Sequence, residues 1–472
     1  MTPIATGKST LEPTGEKTEN SNDNNSDDNK KRPGALTGPK GHPLFGNLHQ
    51  YADNKLGFLE QCAREYGDFV PLRFGHLHAM LVSDPDAIEQ ILVTNYRNFI
   101  KAPALRRSIV LFGRGLLTSE GDFWRRQRKL TQPAFHRDRI AAYAQIMVDD
   151  AATITAQWED GQVCDIYEQM MRLTLKIALK TLFGTEVGDA SKVYDALETA
   201  QTDFARWIHY IVLLPDWIPT PQTGGLRRAI RELDSIVYKI IHDRRESGED
   251  RGDLLSMLLR VQDEDDGSYM TDRQLRDEIL TLFLAGHDTT ALTLTWTLYL
   301  LSQNPDREAK LLDELSFLNG RPPTLEDRPH LKYTEQVIME TMRLYPPAWT
   351  LGRTALADCT VGGHPVKAGT TLILSQWVMH RDPRHFPNPE AFQPERWDGD
   401  FAKTLPKYAY FPFGGGPRIC IGSTFAMMEL ALVLATILPD WKFRHDPDQP
   451  IELMPSVTLR ARHGVKGTLS RR

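Results

Sequence analysis

One short stretch of this 472-residue chain concentrates residue types that do chemistry together. Phe411-Pro-Phe-Gly-Gly-Gly-Pro-Arg-Ile-Cys-Ile-Gly422 is a glycine-rich loop that delivers one cysteine, Cys420, to the start of an apolar helix expected over Ser423–Leu438. Free N–H groups at a helix N-terminus stabilise negative charge, so this placement suits a thiolate that ligates a metal. Gly414, Gly415, Gly416 and Gly422 allow close backbone approach to a flat cofactor, and Arg418 suits a carboxylate on that cofactor.

Four further motifs carry charge or polarity where it has to be accounted for. Glu340-Thr-Met-Arg343 sets a carboxylate and a guanidinium on one helix face, and Phe392-Gln-Pro-Glu-Arg-Trp397 follows it. An isolated pair of this kind is usually a solvated salt bridge. Ala285-Gly-His-Asp-Thr-Thr290 interrupts an apolar segment, which is costly unless the polar groups are used. Thr289 can bond back to the carbonyl of Ala285 and loosen the helix there; the bland alternative is a helix-bending threonine beside a surface aspartate. Trp124-Arg-Arg-Gln-Arg128, extended by Lys129, Arg137 and Arg139, is a basic run that suits an acidic partner or is a solvated helix face.

The elements that must position these residues are mostly helical. The spacing predicts a helix from Thr271, capped by Thr271 and Gln274, to about Gln303, with Pro305 opening the next. Such a helix spans about 45–50 Å and serves as a central beam. Leu226, Ile230, Leu233, Val237 and Ile240 share one face of another helix. Phe69–Phe74 and Ala79–Ser83 read as short strands around Gly75, followed by a helix opened by Asp84-Pro85. Thr360–Ser375 reads as a second small sheet turning at Gly362-Gly363. Pro33–Gly46, rich in Pro and Gly, is an extended lead, with ordered structure expected from near Leu44.

Composition narrows the class. A net charge of −6 and a pI near 6.2 give no sign of nucleic-acid binding. The four cysteines, Cys62, Cys164, Cys359 and Cys420, lack the close spacing of a zinc ribbon or disulfide framework and point to a reducing, cytoplasmic compartment. Residues 1–32 are rich in Thr, Asn, Asp, Glu and Lys, which predicts a disordered arm and neither signal peptide nor anchor. Ile279–Leu301 is apolar but carries His287, Asp288, Thr289 and Thr290, so no membrane span is expected.

Phe413, Gly416, Arg418, Cys420 and Gly422 stand at the spacing of the haem-binding signature of the cytochromes P450, and from about Pro39 onward the chain resembles that family, in its soluble bacterial type. The resemblance implies a mainly α fold over residues 33–472: a helix-rich triangular domain with small β-sheets and a long central helix. It implies haem b (iron protoporphyrin IX), with Cys420 as the iron ligand. Trp124, Arg128 and Arg353 inherit positions that contact a haem propionate. Glu340, Arg343 and Arg396 inherit a buried triad that supports the haem loop, with Trp397 where Phe is more usual, a change of packing and not of charge. Asp288 and Thr289 inherit the acid–threonine pair that delivers protons to dioxygen. Ala348, Trp349 and Leu351, in the turn after Leu344, are candidate substrate contacts. So is Trp217, in the apolar stretch Phe204–Gly225 that resembles the family's lid.

The implied reaction inserts one oxygen atom of O2 into a C–H or C=C bond of a lipophilic substrate of fatty-acid, terpenoid or carotenoid class. No reductase is expected after the haem domain. Electrons from NAD(P)H then arrive only indirectly, through a ferredoxin or flavodoxin type donor with its reductase, to a monomeric protein. Two alternatives stay open at this level: a peroxide-using or isomerising enzyme of the same fold, and a non-catalytic haem sensor, against which the acid–threonine pair argues.

Overall fold

The long helix is where the sequence dictates most. In the computed structural model it runs over Asp272–Gln303, 32 residues. The Thr271 hydroxyl accepts the Gln274 N–H while Gln274 Oε1 accepts the Thr271 N–H at 2.8 Å, the reciprocal capping expected of those two residues. Asn304 ends it and Pro305 opens the helix Pro305–Leu315. Most of its length is buried, because it packs on Ile166–Phe183, Gly224–Ser247, Lys332–Leu344 and Ser423–Ile437. Within it Thr290, Thr293, Thr295 and Thr297 each donate to the carbonyl four residues earlier, at 2.7–2.9 Å. Polar side chains thereby enter an apolar core with their hydroxyl donors satisfied by the helix itself.

The structure describes residues 36–184, 195–196, 199–200, 202–204, 224–264 and 266–472, without the side chains of residues 137–139. The arm 1–32, Trp217 and most of the lid stretch lie outside these residues. Ala35–Arg472 form one compact unit.

The strands are short: β1 (Phe69–Phe74), β2 (Leu77–Val82), β3 (Phe99–Lys101), β4 (Val163–Asp165), β5 (Leu351–Ala355), β6 (Cys359–Val361), β7 (His364–Val366), β8 (Thr371–Leu374), β9 (Trp441–His445), β10 (Leu453–Pro455), β11 (Leu459–Ala461) and β12 (Lys466–Arg471). The largest sheet has the order β1-β2-β8-β5-β3. In it β2 and β8 run parallel, and β5 pairs antiparallel with both β8 and β3. The expected small sheet over Thr360–Ser375 divides in two. β6 and β7 form a hairpin at Gly362-Gly363, both at positive φ, whereas β8 leaves it for the larger sheet, where Leu372 and Leu374 are buried. A strand with alternate leucines needs an apolar face, which the small hairpin does not offer.

The face of Gly224–Ser247 read from the sequence is inward at Leu226, Leu233 and Val237. The helix Ser423–Ile437, which follows the cysteine loop, is buried from Met428 to Ala435 against Arg137–Thr155 and the long helix. Its position fixes where the cysteine at its start must point.

Candidate active site

The cysteine loop is held by its own backbone. The Cys420 N–H donates to the Phe413 carbonyl at 3.0 Å and Ile419 N–H to Gly416 at 3.1 Å. Gly416 has φ +65, and a Cβ there would sit 1.9 Å from the Leu92 carbonyl oxygen. Only glycine lets the loop lie on that segment. Arg128 donates to the Ile419 carbonyl at 2.9 Å, so it braces the residue beside the cysteine. The Cys420 side chain is exposed, yet burial raises its pKa, against the lowering effects of the Gly422 amide and the Arg128 cation. A thiol that is both accessible and poorly solvated faces an opening inside the fold. The helix terminus alone therefore does not make this sulfur a thiolate. Coordination to a metal would, because a metal-bound thiol is deprotonated outright.

The middle of the long helix faces an opening as well. Ala285 and Gly286 are exposed and Thr289 is half-buried, while residues on either side along the helix are buried. A Cβ on Gly286 would meet nothing. Thr289 donates to the Ala285 carbonyl at 2.8 Å, as its sequence context predicts, which leaves its oxygen lone pairs turned outward. Asp288, the residue just before it on a helix that turns 100° per residue, is buried and points elsewhere. Its carboxylate accepts from Arg460 at 2.6 Å, Thr458 at 3.0 Å and Tyr167 at 3.2 Å.

A cluster of buried cations lies where β3 and β5 pair. Lys101 and Arg353 are direct cross-strand partners, an arrangement that is repulsive by itself. Arg418 joins them, its guanidinium 4.9 Å from the Trp124 ring and ion-paired with Glu120. Glu120 also accepts the Lys101 backbone N–H at 2.7 Å, while the Lys101 ammonium donates to the carbonyls of Leu116 and Ser119. Burial first, with the Arg418 cation acting the same way and Glu120 opposing, brings Lys101 down to about 7 and Arg353 to about 10. Glu278 acts on Lys101 too, but burial raises its own pKa to about 8, so it carries little charge at neutral pH. Lys101, Arg353 and Arg418 thus all lie around the Glu120 carboxylate. Nε and Nη1 of Arg418 are buried without a hydrogen-bond partner. Buried donors of this kind cost free energy until an acceptor meets them, and a cofactor bearing carboxylates fits.

The third group is complete in itself. Glu340 and Arg343 are both 0% exposed and form a two-pronged pair at 2.9 Å. The same carboxylate also accepts from Arg396 at 2.9 Å, from the Gln393 backbone amide at 3.0 Å and from the Trp397 indole at 2.9 Å. Arg343 also donates to the carbonyls of His380, Pro389 and Ala391. Trp397 therefore changes more than packing, since its N–H is a donor that phenylalanine lacks.

The family model for cytochrome P450 matches residues 36–465. The chain belongs to the cytochrome P450 family. Among its relatives, cyclooctat-9-en-7-ol 5-monooxygenase of Streptomyces melanosporofaciens is 38% identical over 87% of this chain and 90% of its own length. Cyclooctatin synthase of the same organism is 36% identical over 90% and 93%. Pentalenene oxygenase of Streptomyces avermitilis is 33% identical over 90% and 95%. The protein is a P450 monooxygenase, an enzyme class with a haem-thiolate cofactor that takes O2, a lipophilic substrate and electrons from a redox partner.

The remaining expected residues of this P450 fall in varied settings. Leu351 packs 3.5 Å from where a Cβ of Gly414 would stand, beside the cysteine loop. Ala348 is half-buried. Trp349 is only 3% exposed, within an apolar cluster that includes Leu56, Leu81 and Leu459, and its indole donates to the Ser456 carbonyl at 3.0 Å. Within the basic run, Arg125 pairs with Asp122, Arg126 with Asp263 and Lys129 with Glu264, so its charge is partly spent locally. The side chains of Arg137 and Arg139 lie outside the described residues. The sequence reading missed Lys101, Glu120 and Arg460. Its one usable signal was a lysine at an inward position of a strand whose other inward residue is Phe99. No helix among the described residues is long and apolar enough to cross a membrane.

Proposed function

We propose that residues 33–472 form the haem domain, that Cys420 is the iron ligand of haem b, and that the enzyme oxygenates a lipophilic, terpenoid-like substrate. The observation that carries this reading is the cysteine presented by a self-bonded glycine loop, with buried unpaired donors of Arg418 two residues before it. Arg418, Arg353, Lys101 and the Trp124 ring would hold the cofactor's carboxylates. Arg128 and the Gly422 amide orient and electrostatically support the sulfur. When bound, the haem supplies activation of dioxygen, and thiolate ligation favours cleavage of the O–O bond.

Thr289 Oγ keeps its hydrogen on the Ala285 carbonyl and offers its lone pairs to a water that relays protons into the site. Asp288 is the source of those protons. Ala348 and Leu351 contact substrate, joined by Val457, 55% exposed at the tip of the β10–β11 hairpin between Ser456, which bonds Trp349, and Thr458, which bonds Asp288. Relatives named for cyclooctat-9-en-7-ol and pentalenene favour the terpenoid end of the substrate range. Electrons come from NAD(P)H through a ferredoxin or flavodoxin type donor and its reductase, in the cytoplasm.

Two measurements test the reading. Cys420→Ala should abolish the red-shifted thiolate-type Soret band of the reduced, carbon-monoxide-bound protein; a retained band refutes the ligand assignment. Titration with pentalenene, or with long-chain fatty acids, should shift the ferric spectrum to high spin, whereas a response confined to small polar compounds contradicts the substrate class.

A further inference from the structure

The residue beside the cysteine and the basic helix share one surface. Arg128 donates to the Ile419 carbonyl at 2.9 Å, and the Ile419 side chain, one position before Cys420, is 42% exposed. On the helix Gly121–Thr131, Arg125 and Lys129 stand one turn apart and are both exposed. At about 100° per residue, Arg128 lies about 60° to one side of Arg125, while Lys129 lies about 40° and Arg126 about 100° to the other. The helix therefore turns one flank to the cysteine loop and the ridge of Arg125 and Lys129 to solvent. The flank that carries Arg126 meets a third element. An apolar side chain rimmed by cations, this close to the cysteine, suits an acidic electron-transfer protein.

That third element is an acidic loop. Gln262 and Tyr269 pair as a β-bridge, the Asp263 N–H donates to the Ser268 carbonyl at 2.9 Å, and the Gly267 N–H donates to the Asp263 carbonyl at 2.8 Å. Gly267, at φ +70, lets the chain turn back. Two unequal contacts tie this loop to the helix. Arg126 pairs with Asp263 at 2.5 Å and donates to Ser268 Oγ at 2.7 Å, and the Asp263 side chain is only 5% exposed. Lys129 pairs with Glu264 at 2.9 Å, with side chains 50% and 81% exposed. The first pair is an anchor shielded from water. The second is a hydrated contact that contributes little stability and exchanges readily.

We propose that the loop 262–269 is a built-in competitor for the electron donor: Glu264 occupies Lys129 until the carboxylates of an acidic donor displace it. This rests on the reading that electrons come from a separate protein. Asp263, held by Arg126, keeps Glu264 within reach of Lys129, so the local concentration of the competitor stays high. Docking exchanges one exposed ion pair for another and returns Glu264 to water. The exchange favours a donor that presents several carboxylates at once, and a weakly acidic protein gains little from the ridge. Arg125 is different, because its acid, Asp122, belongs to the same helix three residues away and stays on the docking face whatever the loop does.

The test uses the haem-loaded enzyme with an acidic plant-type ferredoxin as the probe. It measures the dissociation constant, and the rate of first reduction under carbon monoxide, across ionic strength. Glu264→Gln should tighten ferredoxin binding about twofold to fivefold at low salt, the range expected when an exposed pair is released. Its affinity should also fall more steeply with added salt than that of the wild type, in which salt weakens the competitor as well as the donor. Lys129→Gln should weaken binding, and adding Glu264→Gln to it should restore nothing. Glu246→Gln removes an equally charged acid, 68% exposed, from the helix Gly224–Ser247 and should leave the affinity near that of the wild type. Haem content and the thiolate Soret band report that each variant is folded.

Unchanged affinity in Glu264→Gln beside a loss in Lys129→Gln overturns the competitor and leaves the docking surface standing. A gain in Glu264→Gln that Glu246→Gln reproduces overturns it too, since bulk charge then accounts for the effect. Unchanged affinity in both Lys129→Gln and Arg125→Gln places the donor elsewhere and overturns the docking surface together with its competitor. A wild type that ferredoxin neither binds nor reduces at any salt concentration overturns the reading beneath.

Discussion

Two buried charge clusters lie in the fold, one of them including Arg418 of the cysteine loop, and they are built on opposite principles. Around Glu340 one carboxylate receives two guanidiniums, an indole and an amide, and Arg343 spends its other donors on three carbonyls. Around Glu120 one carboxylate faces Lys101, Arg353 and Arg418, with two donors of Arg418 unmet. The first network is closed and needs nothing from outside. The second carries surplus positive charge that folding alone does not repay. A polar network that balances itself is scaffold; one that does not is arranged for a ligand of the opposite charge.

The contrast breaks most visibly at Glu340. Glu340→Ala leaves Arg343 buried and uncompensated, at a cost of about 3–5 kcal/mol. Little soluble, haem-loaded protein is expected, and normal yield with full haem content would remove the scaffold role. Next comes Arg418→Leu, which should leave the apoprotein folded, with its denaturation midpoint unchanged or higher, while haem transfers faster to apomyoglobin. A drop in apoprotein stability with unaltered haem transfer would invert the comparison. Trp397→Phe removes one donor from a carboxylate that keeps three others, so about 1–2 kcal/mol of unfolding free energy should go, with haem retention untouched.

The smallest effect is a slope. The folded pKa of Lys101, pushed down to about 7 by burial, lies below its unfolded value, so the unfolded chain binds more protons between the two. Apoprotein stability should therefore gain a contribution as pH rises from about 7 toward 10, and Lys101→Met should flatten that rise. An identical slope in both proteins would show that Lys101 is relieved by some other group.

Much of this was legible in the sequence because it is local. Thr271 and Gln274 cap the long helix from three residues apart, Thr289 bonds back one turn, and the cysteine loop is a contiguous stretch. The triad spans more chain, but its two motifs are each short. What stayed hidden depends on strand register. Lys101 meets Arg353 only because β3 and β5 pair in one particular alignment, and Asp288 meets Arg460 across 172 residues. Neither partner is marked by its own neighbourhood. Trp349 shows the converse: its place after the Glu340 helix suggested a substrate wall, while its bulk and indole N–H are taken up by packing and the Ser456 carbonyl.

The pairing of Arg418 with Glu120 joins residues 298 positions apart. During synthesis the cationic cradle cannot exist until the ribosome has made the cysteine loop and the chain has closed that long span. Contacts of such separation form late, after local helices. Haem therefore has no early docking point on the nascent chain, and the apoprotein is an obligatory species with a lifetime set by haem supply. In a cell that makes this chain faster than haem, the population that accumulates will be folded around its closed cluster and still carrying the unspent charge of the open one, so the yield of holoenzyme should follow precursor feeding more steeply than it follows temperature or inducer.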